Sequence, residues 1–268
     1  MSSKIRLLLS DVDGTLVPHD KVLTERSLRV VRQLHEAGII FAITSSRPAR
    51  GLKMYIQPLE LTTPIAAFNG GMIVDPQLNV LEERTIDDDI IPAIIGILEE
   101  NGVLAWVYRG QEWYVRDANG PHVRHEADVC QFEPLAVDNF EAVSDGVAKI
   151  VGASENAGAL SKARMTVLTR FGERVSATNS QTYYLDITSP RANKGAVVDY
   201  LSTKFDVPVD AIATIGDAHN DVSMFERSGF SIAMGNAEDD VKAAAGEVTT
   251  SNEDEGFALA VEQFILSY

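Results

Sequence analysis

The residues best suited to chemistry stand close to the start of the chain, in Asp11-Val12-Asp13-Gly14-Thr15-Leu16. Two carboxylates follow the short apolar run Ile5 to Leu9, which reads as a buried strand entering a turn. Alternate side chains on a strand point the same way, so Asp11 and Asp13 share one side. Held together they repel unless a cation or proton intervenes, and the pair calls for a metal. Phosphoryl transfer suits such a pair. One ionised carboxylate attacks phosphorus to form an acyl phosphate, and the other, protonated, hands its proton to the leaving alkoxide and then activates water. Gly14 lets the backbone turn sharply and bring an amide towards a phosphate. A calcium loop needs an acid or amide at its fifth position and glycine at its sixth, where this chain has Thr15 and Leu16. Acids two residues apart rarely give the separation of a glycosidase pair. A plain acidic turn after a strand is the remaining competitor.

The elements needed to hold this pair can be read along the chain. Thr24 caps a helix carrying Leu28, Val31 and Leu34 on one face, with Gly38 as its stop. Ile39 to Ile43 predicts a second strand ending in Thr44-Ser45-Ser46-Arg47-Pro48, and Ile65 to Phe68 a third ending in Asn69-Gly70-Gly71. Strand, helix and strand at this spacing indicate a parallel sheet with crossover helices. From about Glu82 the texture changes. Asp87-Asp88-Asp89 opens a helix with Ile90, Ile91, Ile94, Ile95 and Leu98, the acids suiting a helix start. A hairpin around Gly110, a strand near Val147 to Val151, a helix near Glu155 to Thr169 and paired strands near Arg174 to Ala177 and Tyr183 to Ile187 follow. The sheet pattern resumes with a helix from Asn193-Lys194-Gly195, a strand Ala211 to Ile215 ending in Gly216-Asp217, and a strand Phe230 to Ala233. The expected fold is α/β: a Rossmann-like parallel sheet core with helices on both faces over 1–82 and 189–268, with an inserted α+β cap over 83–188. Polar and glycine residues cluster where apolar runs end, the edge at which open α/β sheets bind ligands.

Composition narrows the partners. Of 268 residues 45% are hydrophobic and 23% charged, ordinary for a soluble protein. The single cysteine, Cys130, excludes an internal disulfide and suits a reducing compartment. The start Met1-Ser2-Ser3-Lys4 leads into an apolar run too short for a signal peptide, and no stretch reaches spanning length, so a cytoplasmic protein without membrane contact is expected. A monomer is compatible with this composition. A net charge of −16 argues against nucleic acid and anionic membrane. A phosphate site in so acidic a chain must be made locally positive by a metal and a few placed cations.

Asp217 and Asp221 bring two more acids to the same edge, and with Asp11 and Asp13 they form an oxygen-rich set suited to Mg²⁺. Lys194 at a helix start can reach a phosphate oxygen or the nucleophile's carboxylate, or stand as a surface lysine. Ser45 and Ser46 can donate to a phosphoryl group or act as caps. Arg47 can bind an anionic substrate or pair with an acid. His219, in a loop between two acids, reads as a solvated neighbour.

Taken in order, these motifs resemble the haloacid-dehalogenase superfamily of phosphatases, specifically its Cof-type group with an α+β cap of the second class, subtype B. The resemblance rests on Asp11 to Leu16, Ser45 with Arg47-Pro48, Asn193-Lys194-Gly195, and Gly216-Asp217 with Asn220-Asp221, and it runs over nearly the whole core. Asn69-Gly70-Gly71, Ala233 to Ala237 and Ser251-Asn252 with Gly256 also match. It implies Asp11 as nucleophile, Asp13 as general acid and base, and Mg²⁺ held by the Asp11 carboxylate, the Asp13 carbonyl and Asp217, with Asp221 in support. It implies Ser45 on the phosphoryl oxygens and Lys194 neutralising charge between them and Asp11. Gly14, Ser46, Arg47, Asn69, Gly70, Gly71, Asn193 and Asn220 complete the expected phosphate surroundings. The family usually has Thr then Gly where this chain has Ser45 and Ser46, which keeps the hydroxyl and alters the backbone beside it. The expectation is a Mg²⁺-dependent phosphatase for a small phosphorylated metabolite, first of all a sugar phosphate, working through an aspartyl-phosphate. A phosphomutase or phosphotransferase with the same intermediate, or a sugar-phosphate-binding regulatory protein, are the alternatives.

Overall fold

The computed structural model describes residues 4–267. Met1-Ser2-Ser3, at the head of the stretch read above as too short for a signal peptide, lie outside that range. Two sheets organise the chain. The first is built from β1 (Leu7–Asp11), β2 (Ile40–Thr44), β3 (Ile65–Ala67), β4 (Met72–Val74) and β5 (Val80–Glu83). The second takes β6 (Leu104–Arg109), β7 (Glu112–Val115), β8 (Leu135–Ala136), β9 (Val147–Ala153), β10 (Ser176–Gln181) and β11 (Tyr184–Thr188). The chain then returns to the first sheet with β12 (Ile212–Gly216), β13 (Phe230–Ala233) and β14 (Glu247–Val248). The helices are α1 (Glu25–Glu36), α2 (Lys53–Ile56), α3 (Ile91–Glu100), α4 (Val123–Cys130), α5 (Ala157–Phe171), α6 (Lys194–Phe205), α7 (Val222–Arg227), α8 (Asp239–Ala244) and α9 (Gly256–Ala260).

The first sheet has the order β14-β13-β12-β1-β2-β3-β4-β5. β1 lies at its centre, parallel to both β2 and β12 and buried at every position. Burial on both faces explains why the strand reads as a continuous aliphatic run rather than an alternating one. Leu8 packs with Val30, Val31 and Leu34 of α1 and Phe257 of α9. Leu7 and Leu9 face the other way, into Val197, Val198 and Leu201 of α6 and Phe225 of α7. From β1 the chain moves to β2 on one side, and from β12 to β13 on the other, so β1 and β12 flank the switch point where open α/β sheets leave a crevice. The all-parallel expectation needs one correction. β4 is antiparallel to β3 and to β5, extending the edge as a hairpin that the short segment Met72–Val74 did not announce.

Crossing to the second sheet takes three residues. Arg84 N donates to Gly71 O, and Ile86 N already donates to Val147 O. The second sheet, ordered β10-β11-β9-β6-β7-β8, is antiparallel except for the β7–β8 pair. Alternation along β6 sorts its faces: Ala105 and Val107 join the isoleucines of α3, while Trp106 and Tyr108 turn to the opposite side. There Phe68, just after β3, meets the Tyr108 ring at 5.4 Å, so the aromatic face of the second sheet rests on the carboxyl edge of the first. The helix expected to open on Asp87-Asp88-Asp89 starts at Ile91 after a single 3-10 turn. Asp87 and Asp89 are engaged by Arg174, and Asp88 accepts from Gly146 N. α4 was not anticipated from sequence, its apolar stripe being only Val123, Ala127 and Cys130.

Candidate active site

Asp11, Ser45 and Asp217 sit where parallel strands end, and Lys194 where a helix begins. Asp11 is the last residue of β1 and is 5% exposed. Asp217 follows β12 directly, Ser45 follows β2, and Lys194 is the first residue of α6. Asn193 caps that helix: its Oδ1 accepts from Ala196 N at 2.9 Å, and its Nδ2 donates to Pro190 O. The cap fixes where α6 begins, and so where Lys194 points.

Lys194 is wholly buried, and its Nζ donates to Asp11 Oδ1 and Asp221 Oδ1, each at 2.5 Å. The other oxygen of Asp221 accepts from the backbone amides of Asp217 and Ala218, both at 2.9 Å. Gly216 makes this fold-back possible, because a Cβ there would stand 2.4 Å from Asp221 Cγ. Burial alone would lower the Lys194 proton affinity; Asp11 and Asp221 overcome it and hold the ammonium firmly charged. One cation does not balance three acids. Burial raises Asp11 well above the carboxylate range, with Asp221 and Asp217 adding to the effect against the pull of Lys194. Asp217 is likewise pushed up to about 6, by burial first and Asp221 second.

Ligand oxygens of Asp11, Asp217 and Asp221 all lie within 4.8 Å of one another. Asp217 is braced by Thr15 Oγ1 at 3.1 Å and Asn236 Nδ2 at 3.2 Å, and the same Asn236 amide holds Gly14 O at 2.9 Å. Gly14 adopts φ +82°, and a Cβ on it would stand 2.3 Å from Asp217 Oδ2, so only glycine allows Asp217 to close on the β1 turn. The donors are hard oxygens carrying excess negative charge in a buried setting, the chemistry that a small divalent cation satisfies.

Asp13 faces a different set of partners. Arg47, 5% exposed, grips its carboxylate with two bonds of 2.7 Å from Nε and Nη2, and Lys21 Nζ adds an ion pair at 2.8 Å. Burial would raise Asp13, but the Arg47 bonds and charge, helped by Lys21, outweigh it and hold the carboxyl below the usual range. Ser45 Oγ accepts from Arg47 N at 3.1 Å, which leaves its own proton to donate. Beside these groups a cleft of about 310 Å³ opens between the sheets. Asp13, Lys21, Ser46 and Arg47 line it from the first sheet's side, and Lys149, Ser180, Gln181 and Tyr183 from the second's.

The structure therefore gathers Asp11, Asp13, Gly14, Ser45, Ser46, Arg47, Lys194, Asp217 and Asp221 at one edge. Other expected phosphate contacts take different duties. Both polar groups of Asn193 are spent on capping. Gly71 N bonds Phe68 O within its turn. Gly70 is glycine for room, since a Cβ would stand 2.7 Å from Val197. Asn220 Nδ2 bonds Asn69 Oδ1 at 3.0 Å, linking two strand-end loops. Asp221 has its oxygens occupied by Lys194 and two amides. His219 is exposed and pairs with Asp240. Thr15, Lys21 and Lys149 escaped the sequence reading. Thr15, inside the first motif, offered a signal; the two lysines lie in segments with no motif.

Fold and site together define a Rossmann-like α/β hydrolase whose acids meet at a sheet's carboxyl edge. Residues 8–261 match the haloacid dehalogenase-like hydrolases, and the chain belongs to that family. A 5-amino-6-(5-phospho-D-ribitylamino)uracil phosphatase of Bacillus subtilis is 29% identical over 278 residues, covering 98% of this chain and 99% of that protein. A haloacid dehalogenase-like hydrolase of Bacteroides thetaiotaomicron superposes with a TM-score of 0.89 at 26% identity, covering 97% and 99% of the two chains. A sugar phosphatase of subclass IIB shares the fold at 21% identity and a TM-score of 0.86, over 97% of this chain and 99% of that one. The chain is an enzyme of this family, and phosphoric monoester hydrolysis is the reaction class that goes with it. Among the described residues no helix is long and apolar enough to cross a membrane.

Removing the central cation should be costly. Lys194→Ala leaves Asp11 and Asp221 buried without a counter-charge and is expected to lower unfolding free energy by about 3–5 kcal/mol in metal-free buffer. Urea denaturation measures it; a loss below about 1 kcal/mol would mean that Lys194 does not organise the site.

Proposed function

We propose that the protein is a Mg²⁺-dependent phosphatase of small phosphorylated metabolites, sugar phosphates foremost, acting through an aspartyl-phosphate on Asp11. The observation that carries this reading is the Lys194 ammonium, 2.5 Å from Asp11, with Asp217 closing on the same point beside a polar cleft. Residues 1–82 and 189–268 form the catalytic core, and 83–188 a lid.

Lys194 keeps the attacking Asp11 oxygen placed and opposes the burial that raises its proton affinity. That oxygen forms a bond to phosphorus as the bond to the leaving alkoxide breaks, and Asp13 gives the alkoxide its proton. Lys21 and Arg47 keep Asp13 ionised at rest, so the arriving phosphate dianion must first offset them and lift its proton affinity, and Asp13 then takes from solvent the proton that it passes to the alkoxide. Asp13, now a carboxylate, takes a proton from water as the water oxygen bonds phosphorus and the bond to Asp11 breaks, which restores both acids and frees phosphate. Ser45 donates a hydrogen bond to a phosphoryl oxygen. Bound by Asp11, Asp217 and the Asp13 carbonyl, Mg²⁺ would offset charge on the phosphoryl oxygens; Asp221 serves as the anchor of Lys194. The cleft holds roughly ten water volumes, and Lys149, Ser180, Gln181 and Tyr183 offer donors and acceptors to a polyhydroxylated leaving group. The relatives' activity on phosphorylated metabolites supports the same class.

The first test is phosphate release from a panel of sugar phosphates, nucleotides and cofactor phosphates, with Mg²⁺ or chelator, for wild type and Asp11→Asn. Chelator-sensitive release that drops at least about a thousandfold in the variant is expected. Unchanged release by the variant removes Asp11 as nucleophile, and a transferred phosphoryl group without free phosphate would favour the phosphotransferase reading.

The acids also set a pH dependence. With its proton favoured by the metal-free fold, Asp217 contributes stability that is present below the ordinary value of 3.8 and is lost as pH rises through about 6. Mg²⁺ takes the ionised form. The rise in Tm on adding Mg²⁺ should accordingly be small near about pH 5 and larger near about pH 7.5; an equal rise at both would contradict the role of Asp217.

A further inference from the structure

We infer that Arg47 is a positioning residue that ties closure of the lid to the placement of the acid–base group Asp13. This rests on the reading of Asp13 given above and goes beyond it. The guanidinium is a rigid planar fork, so its three nitrogens cannot be aimed independently. Nε and Nη2 hold the two oxygens of Asp13 at 2.7 Å, and Nη1 donates to Val129 O at 3.1 Å and, more weakly, to Gly51 O at 3.4 Å. Val129 lies in the last turn of α4, where carbonyls lack helical partners and the helix end is partially negative. One end of the fork therefore reads the lid helix and the other sets the carboxylate.

The ground under Arg47 is shaped to receive that helix. Gly51 comes so close to Cys130 that a Cβ would meet its Sγ at 3.3 Å and its Cα at 3.4 Å. Arg50 lies over the Phe132 ring at 4.4 Å and pairs with Glu112 at 3.1 Å. On the far side of the cleft Lys149, held by Asp186 at 2.6 Å, reaches Ser46 O at 3.4 Å. The turn 46–51 is thus in contact with the lid along its length, and Arg47 is the member that also touches the catalytic pair. With the lid away, Nη1 loses the Val129 carbonyl and the fork one of its fixed points; with the lid seated, Asp13 is held at the mouth of the cleft. Arg47 itself needs no contact with the substrate.

Two variants test this with two substrates, an alkyl phosphate whose alkoxide needs a proton to leave and an aryl phosphate whose phenolate departs without one. Arg47→Lys keeps the charge and loses the fork. In single-turnover quench experiments it should slow alcohol release from the alkyl ester by about 100-fold, the usual worth of a placed acid, slow release from the aryl ester only a few-fold, and leave the affinity for both esters alone, while the second step that both share slows equally for the two. Gly51→Ala leaves Arg47 in place and crowds Cys130 at the end of α4 by a few tenths of an ångström; it should show the same selective first-step loss in weaker form. Both variants should melt as a single transition. A first-step loss equal on both esters, or weakened binding of both with weaker inhibition by inorganic phosphate, would overturn the positioning role, the latter placing Arg47 on the phosphate. A selective loss in Arg47→Lys with none in Gly51→Ala would overturn the tie to the lid. Failure of the wild-type enzyme on both esters would instead count against the phosphatase reading on which the inference rests.

Discussion

The buried ammonium of Lys194 between Asp11 and Asp221 is the interaction on which the rest of the site depends. A lysine taken wholly out of water is tolerable only with ionised partners in contact, and two buried carboxylates are tolerable only with that lysine. Asp217 then adds a third acid within reach of the one ammonium, and the strain appears as raised proton affinity on Asp11 and Asp217. A centre left short of positive charge has a standing attraction for a divalent cation and for the charge that a cation brings with it. This resolves how a chain of net charge −16 can favour a phosphate ester: attraction is confined to a few ångströms, while the acidic remainder repels anions that do not fit.

The sheet meets this constraint by topology. Placing β1 and β12 side by side brings Asp11 and Asp217 together from positions some two hundred residues apart, and the switch point leaves the space above them open. Two glycines remove what would otherwise obstruct the approach: Gly14 makes way for Asp217, and Gly216 makes way for Asp221. Asn236 and Asn252 complete the frame. Asn236 bonds Gly14 and Asp217, while Asn252 donates from its amide to Asn236 and from its side chain to Val17 O.

What could be read from the residues was whatever local spacing encodes. The aliphatic run into Asp11, the Thr24 cap, Gly38 after α1 and the Asn193-Lys194 helix start all carry their signals within a few positions, and the strand ends they bound are where the acids lie. Arg47 illustrates the limit. Substrate contact and pairing with an acid were both open for it, and the choice depends on Asp13, 34 positions away, and on Val129, 82 positions away. Lys21 and Lys149 had no local pattern, because each acquires its part only through the partner the fold supplies. The β4–β5 hairpin was missed because strands of three and four residues at a sheet edge draw their order from pairing, not from propensity.

The central claim, that Asp11 carries the phosphoryl group, is tested most directly by catching the adduct. Asp13→Asn lacks the base for the second step, and an aryl phosphate needs no proton for the first, so this pair should accumulate the acyl phosphate. Acid quenching during turnover followed by peptide mass spectrometry should find one phosphoryl group on the peptide that contains Asp11, and borohydride reduction should convert that residue to homoserine. A phosphoryl group on another residue, or aryl alcohol released with no protein adduct at any quench time, would contradict the account.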